Sequence, residues 1–387
     1  MDESVSFVKQ NFLNAFGESP SVVSRAPGRV EVLGNHTDYN EGYVLSFAVD
    51  KGVWAACGGS TTEQIKLLSS HYGDSPITLH ETVPQKENPW TNYPLGVYAV
   101  LRDNGFPVRP FNMAVYGNVP LGAGLSSSAA LEVACGIALT TLFDFQVEPA
   151  ELAKHCQRAE HTFAGTHCGL LDQFSSIFGK KDHVLFIDFR SLDHQTIPLP
   201  SHNLCVAVTT SGISHSLVES AYNERREECA RAATFFSRSD PSVRTLRDIS
   251  PERLMSAKGA LDDTAYRRAL HIVGENERVL NGIQLLRQGD LVQFGKLLHQ
   301  SHESSRVNFE NSCPELDTLV DIAGMIEGVY GSRLTGGGFG GATLSLLDWE
   351  SREEFEAKIR EKYTAKTGAE ANVYFASVDD GARVVEP

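Results

Sequence analysis

An α+β protein of two domains is what the residue pattern implies, and three observations carry it. At 387 residues the chain exceeds the length at which one hydrophobic core usually stops growing. Its first half mixes strand-like alternation with helical spacing. Past residue 195 a strand, long helices and a glycine-rich strand repeat that mixture, so the division is placed at 1–195 and 196–387.

Taken in order, residues 3–15 read as an amphipathic helix, and 22–24 and 30–33 as short strands around the turn residues Ala26, Pro27 and Gly28. Segments 44–49 and 52–57 alternate as strands, while 93–102 and 127–143 have helical spacing. Residues 149–165 form a second strong helical pattern, with Pro149 suited to a first helical position, and 184–188 a buried strand. Beyond the junction, 204–208 reads as a strand, 216–237 and 266–287 as helices, and 336–347 as a glycine run leading into a last strand.

A formal net charge of -15 argues against nucleic acid or an anionic membrane as partner, because long-range attraction would have the wrong sign. Seven cysteines without a C-x-x-C pair fit reduced thiols, which makes the cytoplasm the expected compartment. The N-terminus lacks the basic and apolar regions of a signal peptide, and the most apolar stretch, 129–143, contains Glu132 and is too short to span a bilayer.

Four segments carry chemistry. In GNVPLGAGLSSSAALEVA, residues 117–134, a glycine and serine loop runs directly into a helical pattern. Gly122 and Gly124 allow close backbone approach to an anion, and Ser126, Ser127 and Ser128 bring hydroxyls to a helix N-terminus, which together suit a polyphosphate. The bland alternative is that Ser126 N-caps an ordinary helix. No Gly-Lys-Ser/Thr follows, and Ser127 stands where a dinucleotide fingerprint needs its third glycine, so any phosphate loop here is of another kind.

The second segment, residues 25–50, packs Arg29, Asn35, His36, Asp38 and Tyr39 among glycines, either as a site or as a solvated hairpin with Asp38 and Asn40 as turn residues. In the third, 169–179, Asp172 lies among apolar residues, so it is either paired with a cation such as Arg29, and then a candidate base, or exposed on a helix face. The fourth, RLTGGGFGGATLSL at 333–346, has more glycines than a tight hairpin needs. His155, Cys156, His161, His167 and Cys168 crowd one window, but no paired cysteines accompany them and residues six apart on a helix face different ways, so zinc is not expected.

In this order, RAPGRVEVLGNHTDYNEG, PLGAGLSSSAALEVA, RAEHTFAGTHCGLLDQF, ESAYNERREEC, SCPELD and LTGGGFGGA resemble the galactokinases of the GHMP small-molecule kinase superfamily, across nearly the whole chain. The resemblance implies the two-domain GHMP kinase fold with its active site in the cleft between domains. It also implies transfer of the γ-phosphoryl of ATP to the C1 hydroxyl of galactose with Mg²⁺, by a monomer. Asp172 resembles the acid at that hydroxyl, acting as base or orienting group, and Arg29 the cation beside it. Ser128 and Glu160 match magnesium ligands, hard oxygen donors that leave the remaining coordination to phosphate and water. Gly122, Gly124, Ser126 and Ser127 would wrap the phosphates. Asp38 matches the acceptor for the C3 and C4 hydroxyls, with His36, Gly169 and Tyr222 lining the sugar pocket and Asn35 at the C6 position.

One departure bears on the sugar. Members usually read G-R-V-N-x-I-G-E-H, whereas this chain reads GRVEVLGNH, with Glu31 and Asn35 in exchanged places. The displaced glutamate ordinarily accepts a hydrogen bond from the C6 hydroxyl, and an amide can both accept and donate. Glu31 would lie about 13 Å from Asn35 in an extended segment, so it takes over only if the chain turns between them. The pocket then takes either galactose or a sugar with an acceptor at C6, such as galacturonate. A catalytically silent sugar sensor is the reading from another class, against which stand the intact serine loop, acid, arginine and metal ligands.

Overall fold

The structure, a computed structural model, describes residues 3–120, 123–200, 203–212 and 218–387. Helix α1 (Glu3–Phe16) buries Val5, Val8 and Phe12, the one-face spacing of an amphipathic helix. The first sheet takes β1 (Val22–Leu33), β2 (Tyr43–Gly59), β3 (Ile65–Ser69) and β4 (Ile77–Leu79). Helix α2 (Asn92–Asp103), strand β5 (Phe111–Gly117), and helices α3 (Ser127–Leu142), α4 (Pro149–Ala159) and α5 (Leu171–Phe178) follow, then β6 (His183–Asp188) and β7 (His194–Pro198).

Next come β8 (Leu204–Thr210), α6 (Val218–Ser237), α7 (Pro251–Ser256), α8 (Asp263–Gln288), α9 (Leu291–Ser304) and α10 (Pro314–Ala323). The chain closes with β9 (Val329–Thr335), β10 (Ala342–Asp348), α11 (Arg352–Thr367), β11 (Asn372–Ala376) and β12 (Arg383–Glu386). The first sheet runs β12-β1-β2-β5-β3-β4, with β6 on β2 and β7 on β6, and the second runs β11-β8-β10-β9. Only the β3–β5 pair is parallel among the described ladders. One core joins the sheets, with Val30, Leu45 and Ala130 in the same buried cluster as Val208 and Leu344. No helix among the described residues is long and apolar enough to cross a membrane.

Three expectations need correction. Residues 22–24 and 30–33 are not strands about a turn but parts of one strand, β1, whose pairing with β2 shifts register between Pro27 and Arg29. Gly28 is needed there for close approach, since a Cβ would stand 2.5 Å from the Leu125 carbonyl oxygen, and the Arg29 N–H donates to that same oxygen at 3.1 Å. The segments 44–49 and 52–57 likewise merge into β2, because β1 pairs along almost its whole length. The helix expected over 149–165 ends at Ala159, and residues 160–164 widen into a π-helical turn closed by Gly165 at φ +83°. Such turns recur at functional sites, and this one begins on Glu160.

Candidate active site

The end of β1, the N-termini of α3 and α5, and the β9–β10 loop converge on one cleft. Asp172 sits in the first turn of α5, whose neighbours Leu171, Gln173 and Phe174 are buried and fix the helix. Arg29 grips its Oδ1 through Nε at 2.8 Å and Nη2 at 2.6 Å, and donates from Nη1 to the Gly124 carbonyl at 2.7 Å. Ser126 Oγ donates to the other carboxylate oxygen, Oδ2. The carboxylate is therefore paired, and 23 % of its side chain stays open to the cavity.

Ser126 does not N-cap α3 in the ordinary way. It takes a left-handed conformation at φ 56° and its hydroxyl goes to Asp172 rather than to the first helical N–H groups. A non-glycine residue there costs about 1–3 kcal/mol and persists only where surroundings fix it. The result is a helix N-terminus without a side-chain cap, free to take an anion. Gly124 (φ +69°) precedes it, while Gly122 lies outside the described residues.

A cavity of about 310 Å³ opens from Asp172 and Arg29 toward Glu31, Asn35, His36, Asp38, Gly169 and Tyr222. Gly34 makes this possible. At φ +96°, with a Cβ that would strike the Tyr43 carbonyl oxygen at 2.3 Å, it turns the chain so that Asn35 Nδ2 reaches Glu31 Oε1 at 2.9 Å. The extended separation expected for this pair does not hold. Asn35 also donates to the Gly336 carbonyl at 2.8 Å, and its Oδ1 accepts from Asn311 Nδ2 at 2.9 Å. Its amide is thus spent within the protein.

His36 is buried at φ 60°, with Nε2 donating to the Gly337 carbonyl at 3.0 Å and Nδ1 accepting from the Tyr39 hydroxyl at 2.8 Å. Burial pulls its pKa down to about 4, so the ring is a neutral wall, with Tyr222 4.9 Å away between centroids. Asp38 differs. Its carboxylate presses on Gly169, where a Cβ would lie 1.5 Å from Oδ2, and it forms no ion pair among the described residues. Burial, with Glu31 and Asp172 adding repulsion, pushes its pKa up to about 7. A group that donates hydrogen bonds would relieve it.

Three residues that sequence reasoning did not assign hold this loop from the far end of the chain. Glu275 on α8 accepts the Gly34 and Asn35 N–H groups at 2.9 and 3.0 Å, and the Ser301 hydroxyl at 3.0 Å. Burial alone would raise its pKa, but Arg278 beside it holds it far below the usual carboxylate range. His271 contacts the Asn35 carbonyl at 3.1 Å, and Arg333, wholly buried, stands 3.1 Å from Glu31 Oε1. The only available signal was Arg333, three residues ahead of the glycine run. That run does form a hairpin between β9 and β10, yet its carbonyls also bind Asn35 and His36.

Toward α3, Ser128 Oγ lies 3.2 Å from Glu160 Oε1. Gln173 Nε2 bridges Glu160 Oε2 at 2.8 Å and the buried Glu132 Oε2 at 3.0 Å. Burial raises the pKa of both carboxyls, and each adds repulsion at its neighbours, which favours a cation near Ser128 and Glu160. A hydroxyl and a carboxylate fit Mg²⁺ as hard oxygen donors, and among the described residues no group of three or more His, Cys, Asp or Glu side chains is placed to hold a metal. Of the histidine and cysteine window, Cys156 is core, His161 bonds the Cys168 carbonyl at 2.9 Å, and Cys168 Sγ donates to Glu160 at 3.1 Å.

Beside Ser127 and Ser128 lies a second cavity of about 250 Å³, walled by Tyr72, Trp90 and Tyr93. Tyr72 and Trp90 stack at 5.7 Å with planes 3° apart. The stacked pair gives this cavity an aromatic wall.

The chain is similar to known proteins over most of its length. The family model described as the galactokinase galactose-binding signature matches residues 10–58, that for the GHMP kinases N terminal domain residues 92–180, and that for the GHMP kinases C terminal residues 283–365. A galactokinase of Roseiflexus sp. (strain RS-1) is 39% identical over 97% of this chain and 95% of its own length. Lactococcus lactis galactokinase, solved complexed with galactose, superposes with a TM-score of 0.92 at 30% identity, covering 98% of this chain and 99% of that one. Methanococcus jannaschii mevalonate kinase shares the fold, with a TM-score of 0.63 at 17% identity over 92% and 98% of the two chains.

Proposed function

The chain belongs to the galactokinase family of the GHMP kinases, and we propose that it transfers the γ-phosphoryl group of ATP to the C1 hydroxyl of galactose. The observation that carries this is Asp172, held on one oxygen by Arg29 and on the other by Ser126. It lies between a cavity of hexose size and an uncapped helix N-terminus.

In this reading galactose fills the 310 Å³ cavity with its C1 hydroxyl at Asp172 and ring hydroxyls donating to Asp38. His36 and Tyr222 wall the ring, and Gly169 leaves the room Asp38 needs. The phosphates meet the Gly122 to Ser128 loop and the N–H groups of α3, and the base lies in the cavity walled by Tyr72, Trp90 and Tyr93. Asp172 accepts or orients the C1 proton, and Arg29 stabilises charge on the group in transit. Ser128 and Glu160 would hold Mg²⁺, which when bound offsets charge on the phosphate oxygens. Phosphoryl transfer is loose enough for this positioning and electrostatics to supply most of the catalysis. The partners are small molecules, galactose and ATP, and the enzyme is read as a cytoplasmic monomer, the compartment being supported by the free cysteines Cys57, Cys135, Cys156, Cys168, Cys205, Cys229 and Cys313.

A coupled assay of ADP release with galactose and Mg-ATP tests this, with ³¹P NMR of the product. The expected result is galactose-dependent ADP release and galactose 1-phosphate. Sugar binding without turnover would leave a sensor instead.

A further inference from the structure

We propose that Glu31 sets sugar specificity, accepting a hydrogen bond from the exocyclic C6 hydroxyl of the hexose and disfavouring a carboxylate at that carbon. The inference rests on the reading above, in which a hexose occupies the cavity with its reacting hydroxyl at Asp172.

Position comes first. Arg29, Val30 and Glu31 pair in unbroken register with Ala48, Phe47 and Ser46, so Arg29 and Glu31 project from the same face of β1. Glu31 therefore stands about 7 Å along the strand from the residue that grips Asp172. That is the scale of a hexopyranose from its anomeric oxygen to its exocyclic carbon. Glu31 and Asp172 line the same cavity.

Hydrogen-bonding capacity comes second. Asn35 has both amide hydrogens committed, to Glu31 Oε1 and to the Gly336 carbonyl, and its oxygen committed to Asn311. Glu31 uses one oxygen only. Oε1 receives Asn35 at 2.9 Å and lies 3.1 Å from the Arg333 guanidinium, whereas Oε2 accepts no hydrogen bond from the described residues. Of this pair the glutamate alone keeps a free acceptor. The Asn35 donor and the Arg333 ion pair on Oε1 also fix its direction, because Arg333 is wholly buried and is itself tied to the Val32 carbonyl at 3.0 Å.

Charge comes third. The cavity already holds Asp38 and Asp172 besides Glu31, and the one guanidinium among the described lining residues, Arg29, is committed to Asp172. A uronic acid would bring a further carboxylate against Glu31 with no uncommitted arginine or lysine among the described lining residues. A primary alcohol donates instead. The exchange of Glu31 and Asn35 relative to the family pattern thus moves the carboxylate across a hydrogen-bonded pair and keeps it in the same cavity, so the preferred substrate has a neutral hydroxyl at C6.

The test measures kcat/KM for galactose, 6-deoxygalactose and galacturonate with wild type and Glu31→Gln. Wild type is expected to favour galactose over 6-deoxygalactose by about 10- to 100-fold, the worth of a hydrogen bond to a charged group. It is expected to use galacturonate worst. Glu31→Gln should lower kcat/KM for galactose through KM, leave 6-deoxygalactose within a factor of about 3, and narrow the gap to galacturonate by about ten-fold. A variant that loses galactose and 6-deoxygalactose equally would show that Glu31 only neutralises Arg333, and the proposal fails. Wild type needs no variant to decide: equal use of galactose and 6-deoxygalactose, or preference for galacturonate, overturns the role of Glu31 while phosphoryl transfer to a hexose stands. Turnover of none of the three sugars overturns the family reading itself, and this inference with it.

Discussion

At the Asp172 end of the cleft, Arg29, Gly124 and Ser126 all precede residue 173 and meet through direct contacts between strand β1 and the helices α3 and α5 packed beside it. At the Glu31 end, the loop that follows β1 is held by Glu275, Asn311, Arg333 and Gly336, all from the last third of the chain. The end that does chemistry is local, and the end that recognises the sugar is assembled across the molecule. Changes at the first should fall on kcat, and changes at the second on sugar KM or on stability.

The largest expected effect is at the chemical end. Asp172→Asn keeps the shape and a partner for Ser126 but removes the acceptor, and kcat should fall about 10²- to 10⁴-fold with sugar affinity nearly unchanged in equilibrium titration. A parallel rise in sugar KM would erase the distinction between the two ends. At the recognition end, Glu275→Ala leaves Arg278 uncompensated and two loop N–H groups orphaned, so stability should drop by about 3–5 kcal/mol in denaturant titration. Gly169→Ala drives a methyl into Asp38 and should lower kcat/KM for sugar by about 100-fold, mostly through KM, without a comparable change in ATP KM.

A smaller effect comes from titration. Asp38 ionises at about 7 in the fold against its ordinary 3.8, so the folded state holds the extra proton between these values and stability falls as pH rises across that window. The slope approaches about 1.4 kcal/mol per pH unit at most, and Asp38→Asn should flatten it between about pH 4 and about pH 7. Sugar hydroxyls that donate to the ionised form should tighten binding as pH rises through 7. Weaker binding in that direction would place the sugar elsewhere.

The same contrast explains what could be read from residues alone. Ser126, Ser127, Ser128 and Asp172 carry their meaning in short segments, so loop, helix start and acid were visible together. Ala26, Pro27 and Gly28 have the chemistry of a turn, but what they serve is contact with Leu125, which no local pattern reports. Glu275 lies in α8 as one charge among many on a long helix, and only the fold reveals that it faces Gly34 and Asn35. Tyr72 sits in an irregular segment before Trp90, eighteen residues away by numbering, and their stacking is a product of tertiary packing. Asn35 drew attention because it departs from the family pattern, yet its amide is consumed by the fold and Glu31 inherits the free oxygen.

A crystal structure with galactose and a non-hydrolysable ATP analogue bound together is the most direct measurement. The C1 oxygen is expected within hydrogen-bond reach of Asp172, the exocyclic oxygen at Glu31 and the terminal phosphate at the start of α3. Ligands lodged in unconnected cavities, with Asp172 touching neither, would contradict it.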